Sequence, residues 1–333
     1  MRGDRVESAH RGVFVVCDAH GAIVEQGGDP DQLVFPRSAV KAIQALPLVE
    51  TGAAEAFGYG EKELALACAS HRGEEEHVQL ASSMLKRIGL DETALECGSH
   101  WPFNHDATIA LAQRGGEPSN LHNNCSGKHS GFLCTCRRLK LNHRGYVDFD
   151  HQSQEMVREA MQNVTAAIHS RENSAIDGCS IPTYAIPLRS LAFGFARMAT
   201  GQGLAPQRAS AAARLLRACM AEPFFVSGSD VPDLSLMRVA PGRIFVKSGA
   251  EGMFCTALPE LGLGVALKCD DGAWRAGETM IAALLARLLE KDEDVSGKLG
   301  ELARPVVTSR RGVAVGRIRP VGALALGVEG PGP

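Results

Sequence analysis

A serine and a lysine three residues apart, Ser38 and Lys41, follow Pro36 where a helical pattern begins. Residues i and i+3 share a helix face, so the hydroxyl and the amine can meet. The first helical turn leaves backbone N–H groups unpaired and carries the positive end of the helix dipole, which stabilises an anion. A neutral lysine can take the serine proton, so this spacing is typical of nucleophilic catalysis. A capping serine beside an exposed lysine is the alternative interpretation.

The same spacing occurs again at Ser83 and Lys86. This second pair falls late in a helical pattern with a polar face, so we expect it to be solvated and to carry no chemistry.

A Lys-Ser-Gly sequence at 247–249 follows a predicted strand near the C-terminus. A basic residue with small neighbours at a strand end can line a cleft, and a solvated strand-end lysine is the alternative. The motif order is a hairpin, the Ser-x-x-Lys helix, a helical middle, the Lys-Ser-Gly strand, two more strands and a final helix. This order resembles the serine β-lactamase and penicillin-binding protein fold, which has S-x-x-K and K-T-G motifs in these places.

Hydrophobic periodicity predicts the elements that must position these residues. Residues 10–27 predict a β-hairpin around a turn-forming cluster. Helical patterns occupy 38–51, 61–70, 75–88, 150–168, 187–200, 206–221 and 273–290. Short strands are predicted at 243–247, 253–257 and 263–267, and a Gly-, Asn- and Ser-rich stretch at 115–131 predicts a loop.

We therefore expect an α/β (α+β) fold of the β-lactamase and penicillin-binding-protein kind. Its antiparallel sheet would come from both chain ends, flanked by the helices near 38–51 and 273–290. A mostly helical lobe would complete a single domain. The expected sheet lobe is 1–60 with 235–333, the helical lobe is 61–234, and the cleft between them would hold the chemistry.

Composition excludes several classes of function. The 333 residues are 45% hydrophobic and 22% charged, enough for a large core without disulfides or metals. A formal net charge of −3 gives no reason to expect nucleic acid or an anionic membrane surface as partners. The charged first residues and the lack of a long apolar window predict neither a secretory signal nor a membrane span, hence a cytoplasmic location. The ten cysteines are then reduced thiols, either buried or metal-binding.

Four sequence blocks carry a more specific resemblance: F-P-R-S-A-V-K-A-I-Q at 35–44, C-A-S-H-R-G-E-E-E-H at 68–77, N-N-C-S-G-K-H-S-G at 123–131 and D-G-C-S-I-P at 177–182. Together and in this order they resemble the asparaginase II family, the asparaginases built on a β-lactamase-like fold. With the Lys-Ser-Gly strand, the resemblance covers nearly the whole chain.

The resemblance implies two serine–lysine pairs, Ser38 with Lys41 and Ser70 with Lys247. Two lysines in one cleft lower each other's pKa, so one of them can be neutral and act as a base. Ser70 would relay a proton to the leaving ammonia or fix the first serine. Without the family resemblance, Ser70 is interpreted as a hydroxyl that bonds to the backbone at a helix C-terminus.

The implied reaction is hydrolysis of L-asparagine, a small-molecule substrate, to aspartate and ammonia. Backbone N–H groups of Ser38 and Ala250 would hold the oxyanion. Asp177 would receive the substrate ammonium group or orient a ligand. Arg37 completes the expected substrate-binding set, together with His71 as a supporting group.

The resemblance also implies a metal position at Cys125, Cys179 and Lys128. Two thiolates from separate loops can hold zinc, yet their spacing matches no zinc-finger pattern, and two buried free thiols are an equally open interpretation. A lysine ligand would have to be neutral. We expect no cofactor to be required for the chemistry, because the serine–lysine pairs supply nucleophile and base.

Other functions remain open at this stage. The same fold could act on a β-lactam, a peptide or glutamine, although an S-D-N-like triplet is lacking. The cleft could bind an amino acid without turning it over, or a zinc-bound hydroxide could do the chemistry, for which no H-E-x-x-H pattern exists. A homodimer is common for enzymes of this size.

Overall fold

A computed structural model describes residues 1–326. Its strands are β1 (Gly12–Asp18), β2 (Ile23–Gly27), β3 (Leu33–Val34), β4 (Ser174–Ile176), β5 (Pro182–Tyr184), β6 (Ile186–Pro187), β7 (Phe245–Gly249), β8 (Met253–Leu258), β9 (Leu263–Cys269), β10 (Val306–Thr308) and β11 (Ala314–Arg317).

Its first helices are α1 (Lys41–Gln44), α2 (Leu46–Glu50), α3 (Ala53–Ala56), α4 (Glu61–Ala67), α5 (Glu75–Arg87), α6 (His105–Gln113) and α7 (Ser126–Leu139). The later helices are α8 (Gln152–Thr165), α9 (Leu188–Thr200), α10 (Pro206–Ala221), α11 (Pro223–Ser227), α12 (Pro232–Val239), α13 (Trp274–Leu288) and α14 (Glu293–Leu302).

The main sheet joins the two ends of the chain, as the sequence predicts. Its strand order is β2-β1-β9-β8-β7, and every neighbouring pair is antiparallel. The pairing of β1 with β9 runs from Gly12 opposite Cys269 to Asp18 opposite Leu263. These pairings confirm the predicted hairpin, the three predicted C-terminal strands and the α/β (α+β) class.

Helices cover both faces of this sheet. Side chains of a strand alternate between the two faces. On β1, Cys17 reaches the backbone of Arg189 in α9, whereas Gly12 lies against Met280 in α13. The predicted cover by the helix near 273–290 is therefore confirmed, and α9 covers the other face.

The predicted helix at 38–51 is wrong as a single element. It is divided into a 3₁₀ turn, Arg37–Val40, and the short helices α1 and α2. Pro47 lies in the first turn of α2 and has no N–H to continue a helix from α1. Of these pieces, it is the 3₁₀ turn that packs against β7 and β8.

The predicted loop at 115–131 is also wrong in its last part, because α7 begins at Ser126. Small residues with poor helix propensity, including Gly127, give this buried helix a weak helical pattern in the sequence. A Cβ on Gly127 would lie 2.3 Å from the carbonyl oxygen of Leu66 in α4. The glycine therefore permits close contact between two helices and does not mark a loop.

The division into a sheet lobe and a helical lobe stays a prediction. α9 belongs to the range 61–234 but packs on the sheet, and residues 327–333 of the expected sheet lobe lie outside the described residues. The tail from 303 includes the β10–β11 hairpin, which we did not predict. No helix between residues 1 and 326 combines the length and apolar character needed to cross a bilayer.

Candidate active site

Ser38 is half-buried in the 3₁₀ turn Arg37–Val40. The residue before it, Arg37, has φ of +50°, in the left-handed region that is unfavourable for residues with a side chain. Arg37 Nε lies 2.7 Å from Asp177 Oδ1, and this ion pair anchors the turn to the β4–β5 loop. A strained backbone held by its surroundings next to a hydroxyl is typical of a functional site.

The Lys-Ser-Gly strand lies directly beside this turn. A Cβ on Gly249 would be 2.6 Å from Pro36 O and 3.1 Å from Ala39 N, so only glycine permits the approach. Among residues 1–326, no acceptor hydrogen bonds to the backbone N–H groups of Ser38 and Ala250. Both N–H groups are therefore available to an oxyanion.

We predict that Gly249→Ala displaces the Ser38 turn. Because the added methyl meets backbone atoms, we expect the free energy of unfolding to fall by about 1–3 kcal/mol and kcat to fall more than tenfold. Gly297→Ala is the matched control, since nothing lies within 4 Å of its Cβ. Denaturant unfolding and steady-state kinetics measure both effects, and a Gly249→Ala variant with normal activity would contradict the role of this contact.

Lys41 is buried within the protein and has three acceptors around its amine. Lys41 Nζ lies 2.5 Å from Ala69 O, 2.9 Å from Ser70 Oγ and 3.1 Å from Cys125 Sγ. The predicted proximity of Ser70 to a lysine is therefore present, but the lysine is Lys41. Lys41 links the second serine to the cysteine cluster.

The electrostatics of the cleft favour a neutral Lys41. Burial lowers the pKa of Lys41, and the nearby cations Lys128 and Lys247 lower it further, although Cys125 opposes them. A lysine with a lowered pKa can accept a proton near neutral pH.

Lys247 is the second lysine expected in the cleft. Its Nζ lies 3.2 Å from Asp233 Oδ2 and donates to Ser248 O at 2.9 Å. The hydrogen bond of Ser70 Oγ is with Lys41, and the expected pairing of Ser70 with Lys247 stays a prediction. The packing of α12 on β7 brings a carboxylate to Lys247, which the sequence motifs did not reveal.

The three residues expected to hold a metal do converge. Cys125 and Cys179 are buried free thiols, and each shifts the pKa of the other. Lys128 Nζ donates to Cys179 Sγ at 3.0 Å. No group of three or more His, Cys, Asp and Glu side chains suited to a metal occurs within residues 1–326, so Lys128 would be needed as the third ligand.

Charge is distributed unequally over this cluster. The neighbouring Cys125 thiol lowers the pKa of Cys179 to about 5, and Lys128 and Lys41 reinforce the effect. Cys179, with burial, raises the pKa of Cys125 to about 12. Burial alone would lower the pKa of Lys128, but Cys179, Cys125 and Asp177 outweigh it and raise that pKa. Cys179 and Lys128 therefore form a thiolate–ammonium pair.

Asp177 lies at the edge of this cluster. Burial opposes its ionisation, but Lys128 and Arg37 outweigh burial and lower the pKa of its carboxyl. Its Oδ1 also accepts the N–H of Gly178 at 2.6 Å. Within residues 1–326 no group hydrogen bonds to Oδ2, which can therefore accept a ligand's N–H.

His71 is fully buried, and its expected supporting part in the substrate-binding set stays a prediction. Its Nδ1 accepts the N–H of Gly73 at 3.1 Å, so its Nε2 carries the proton and donates to Ser126 Oγ at 2.9 Å. Burial lowers the pKa of His71 well below its usual value, so the ring is neutral. His71 connects the Ser70 segment to the first turn of α7.

Lys86, in contrast, is exposed in the last turn of α5, as the sequence predicts. The sequence missed Asp233, because a single acidic residue outside any recognised block carries no signal.

The profile of the family described as L-asparaginase II matches residues 1–320. The chain therefore belongs to the L-asparaginase II family, which confirms the resemblance drawn from the four blocks. No curated protein gives a significant match.

Solved structures give more distant similarities. A crystal structure of Mglu is 16% identical with a TM-score of 0.38, over 86% of this chain and 67% of that one. Mglu in its tris and glutamate form is 16% identical with a TM-score of 0.38, over 88% of this chain and 62% of that one. A β-lactamase from Mycobacterium bovis is 12% identical with a TM-score of 0.37, over 77% of this chain and 86% of that one. These values are too low to transfer an activity.

Proposed function

We propose that the protein hydrolyses the side-chain amide of L-asparagine to L-aspartate and ammonia by acyl transfer to Ser38. Family membership supports an amide-cleaving hydrolase acting on a small molecule. The observation that carries the mechanism is Lys41, a buried lysine one helical turn from Ser38 with its amine against Ser70. Such an amine is suited to move protons between two serines.

In the first half-reaction, Ser38 Oγ attacks the amide carbon and its proton passes to neutral Lys41. The negative charge then forms on the former carbonyl oxygen, where the N–H groups of Ser38 and Ala250 are available. The C–N bond breaks, and the proton on Lys41 passes through Ser70 Oγ to the departing nitrogen. Ammonia leaves, and an aspartyl ester remains on Ser38.

In the second half-reaction, water attacks the ester carbon and gives a proton to Lys41. The bond from the acyl carbon to Ser38 Oγ breaks, the proton returns to that oxygen, and aspartate leaves. Lys41 therefore serves as base and acid in both halves, which requires a pKa near the working pH. The lowered pKa of Lys41 supports this assignment.

The substrate's amino-acid group would be bound by Arg37 and Asp177. Asp177 Oδ2 can accept the substrate ammonium, and Arg37, which pairs with Asp177 through Nε, has its terminal nitrogens left for the carboxylate. Glutamine has the same amino-acid group and is one methylene longer, so distance to Ser38 would discriminate between the two substrates.

The test is ammonia release from asparagine, glutamine and a β-lactam by the wild type and Ser38→Ala. Rapid release from asparagine that Ser38→Ala loses would support the proposal. Faster turnover of glutamine or of the β-lactam nitrocefin than of asparagine would assign that compound as the substrate instead. Thermal stabilisation by asparagine without ammonia release would instead identify a binding protein.

We further propose that Cys125, Cys179 and Lys128 hold one zinc ion. Two adjacent sulfurs and an amine fit a thiophilic ion with a fourth position open, provided Lys128 loses its proton. When bound, the ion would polarise a ligand at that open position. The serine–lysine chemistry supplies the nucleophile without it.

We predict about one zinc per chain in protein purified without chelators, at thiolate distances near ~2.3 Å. Chelation should raise KM or lower the melting temperature more than it lowers kcat. Cys125→Ser with Cys179→Ser should abolish binding, whereas Cys68→Ser with Cys219→Ser, another pair of buried free thiols, should not. Elemental analysis that finds no zinc, even after zinc is added back, would restrict both cysteines to a packing role.

A cytoplasmic location and a homodimer complete the proposal. Ten free buried thiols suit a reducing compartment. Fractionation with thiol labelling, and sedimentation over a concentration range, test these two statements.

A further inference from the structure

Asp233 is a buried carboxylate that neither the sequence blocks nor the proposed mechanism uses. It lies in the first turn of α12 and is 1% exposed, and Lys247 beside it is 0% exposed. Removing two opposite charges from water is costly unless their geometry and hydrogen bonds compensate. A fully buried pair at the edge of the cleft therefore calls for a functional explanation.

One oxygen of Asp233 makes all of its contacts. Oδ2 accepts from Ser248 Oγ at 2.8 Å, from Ser248 N at 3.1 Å and from Lys247 Nζ at 3.2 Å. Oδ1 is buried and has no partner in the described part of the chain. The Asp233 carboxylate thus holds the side chain of Lys247 and the backbone of Ser248, at the end of β7.

Those two residues lead directly to the cleft. Gly249, the next residue, packs on Pro36 and Ala39, which lie on either side of Ser38 in the chain. Ala250 follows, and among the described residues its N–H has no acceptor. A shift of the 247–248 segment would displace both the Lys247 amine and the Ala250 N–H. An error of about 1 Å in such groups can cost about 10²-fold in rate.

We propose that Asp233 is a positioning residue that fixes the Lys247 ammonium and the adjoining strand end relative to Ser38. This inference rests on the proposed serine–lysine acyl transfer. Asp233 touches no reacting atom and acts through Lys247 and Ser248. Its carboxylate supplies the counter-charge that the buried lysine needs, and its two bonds to Ser248 set the strand end.

The test compares Asp233→Asn with Asp233→Glu and with Glu278→Gln as control. Glu278 is a partly buried carboxyl on α13, and burial raises its pKa, with Trp274 opposing the shift and the Asp233 charge adding to it. Asp233→Asn should lower kcat for asparagine about 10²-fold with KM changed less than about threefold. Asp233→Glu should recover part of kcat, and Glu278→Gln should match the wild type.

A double-mutant cycle separates positioning from general stability. In a Lys247→Met background, Asp233→Asn should lower kcat less than it does in the wild type, because only the bonds of Asp233 to Ser248 are then left to lose. Equal losses in both backgrounds, or an Asp233→Asn variant within twofold of the wild type, would overturn the inference. Melting temperatures of all variants identify loss of kcat that comes from unfolding.

A second probe keeps this test independent of the substrate. Acylation by p-nitrophenyl acetate, followed as a burst of nitrophenolate, needs Ser38 but not asparagine recognition. A burst without ammonia release would refute the asparaginase proposal, and the Asp233 comparison would then be decided on the burst amplitude and rate. Absence of both reactions in the wild type would refute the serine–lysine chemistry and the positioning role together.

Discussion

Ser38→Ala is expected to lower kcat for asparagine by at least ~10³-fold while the fold stays intact, because covalent catalysis is lost. Ser38 is half-buried, and its side chain makes no hydrogen bond within residues 1–326, so removing one oxygen leaves no buried group unpaired. Ser83→Ala is the matched control, since it alters the second Ser-x-x-Lys sequence, whose lysine is exposed. Steady-state ammonia release measures the effect.

The acyl-enzyme gives a direct test of the same assignment. Rapid quenching of the wild type with asparagine should leave an aspartyl ester on the peptide that contains Ser38, detectable by mass spectrometry. Ser70→Ala should slow turnover yet still form this ester, because Ser70 only relays a proton. Lys41 Nζ contacts Ser70 in the structure, so an ester on Ser70, or more than a tenth of wild-type activity in Ser38→Ala, would make Ser70 the nucleophile.

Local patterns in the sequence were sufficient for the sheet. β1, β7, β8 and β9 are apolar runs bounded by turn residues, as strands buried on both faces are, and β2 follows from the turn-forming cluster of the predicted hairpin. The site residues were found from recognisable blocks, and the structure brings Ser38, Lys41, Ser70 and the cysteines into one region. The residues within each block are close together in the sequence, so each block can be recognised without the structure.

The missed features depend on contacts between distant segments. Nothing near Lys247 in the sequence predicts that α12 would bring Asp233 to it. Gly127 was interpreted as a loop residue because the nearness of Leu66 O cannot be known from sequence. The positive φ of Arg37 likewise cannot be predicted from the sequence, since its partner Asp177 is 140 positions away.

Lys41→Met is expected to reduce kcat by at least ~10³-fold, because the amine that contacts Ser70 and would accept and return the proton is lost. Lys41→Arg should be equally inactive, since a guanidinium stays protonated in proteins. Lys86→Met, which alters the exposed lysine of the second Ser-x-x-Lys sequence, should retain full activity. Normal activity in Lys41→Met at neutral pH would exclude Lys41 as the base.

The pH profile of the wild type tests the same lysine without changing it. The base must be neutral, so kcat/KM should rise as pH increases through the pKa of Lys41, and burial with the charges of Lys128 and Lys247 places that pKa below the ~10.4 of a free lysine. Lys128→Met removes one of these cations, which raises the pKa of Lys41 and should move the rising limb to higher pH. The comparison is made on chelator-treated protein, so that a change in metal content does not contribute. A limb that stays in place in Lys128→Met would mean that a group remote from Lys128 controls the profile.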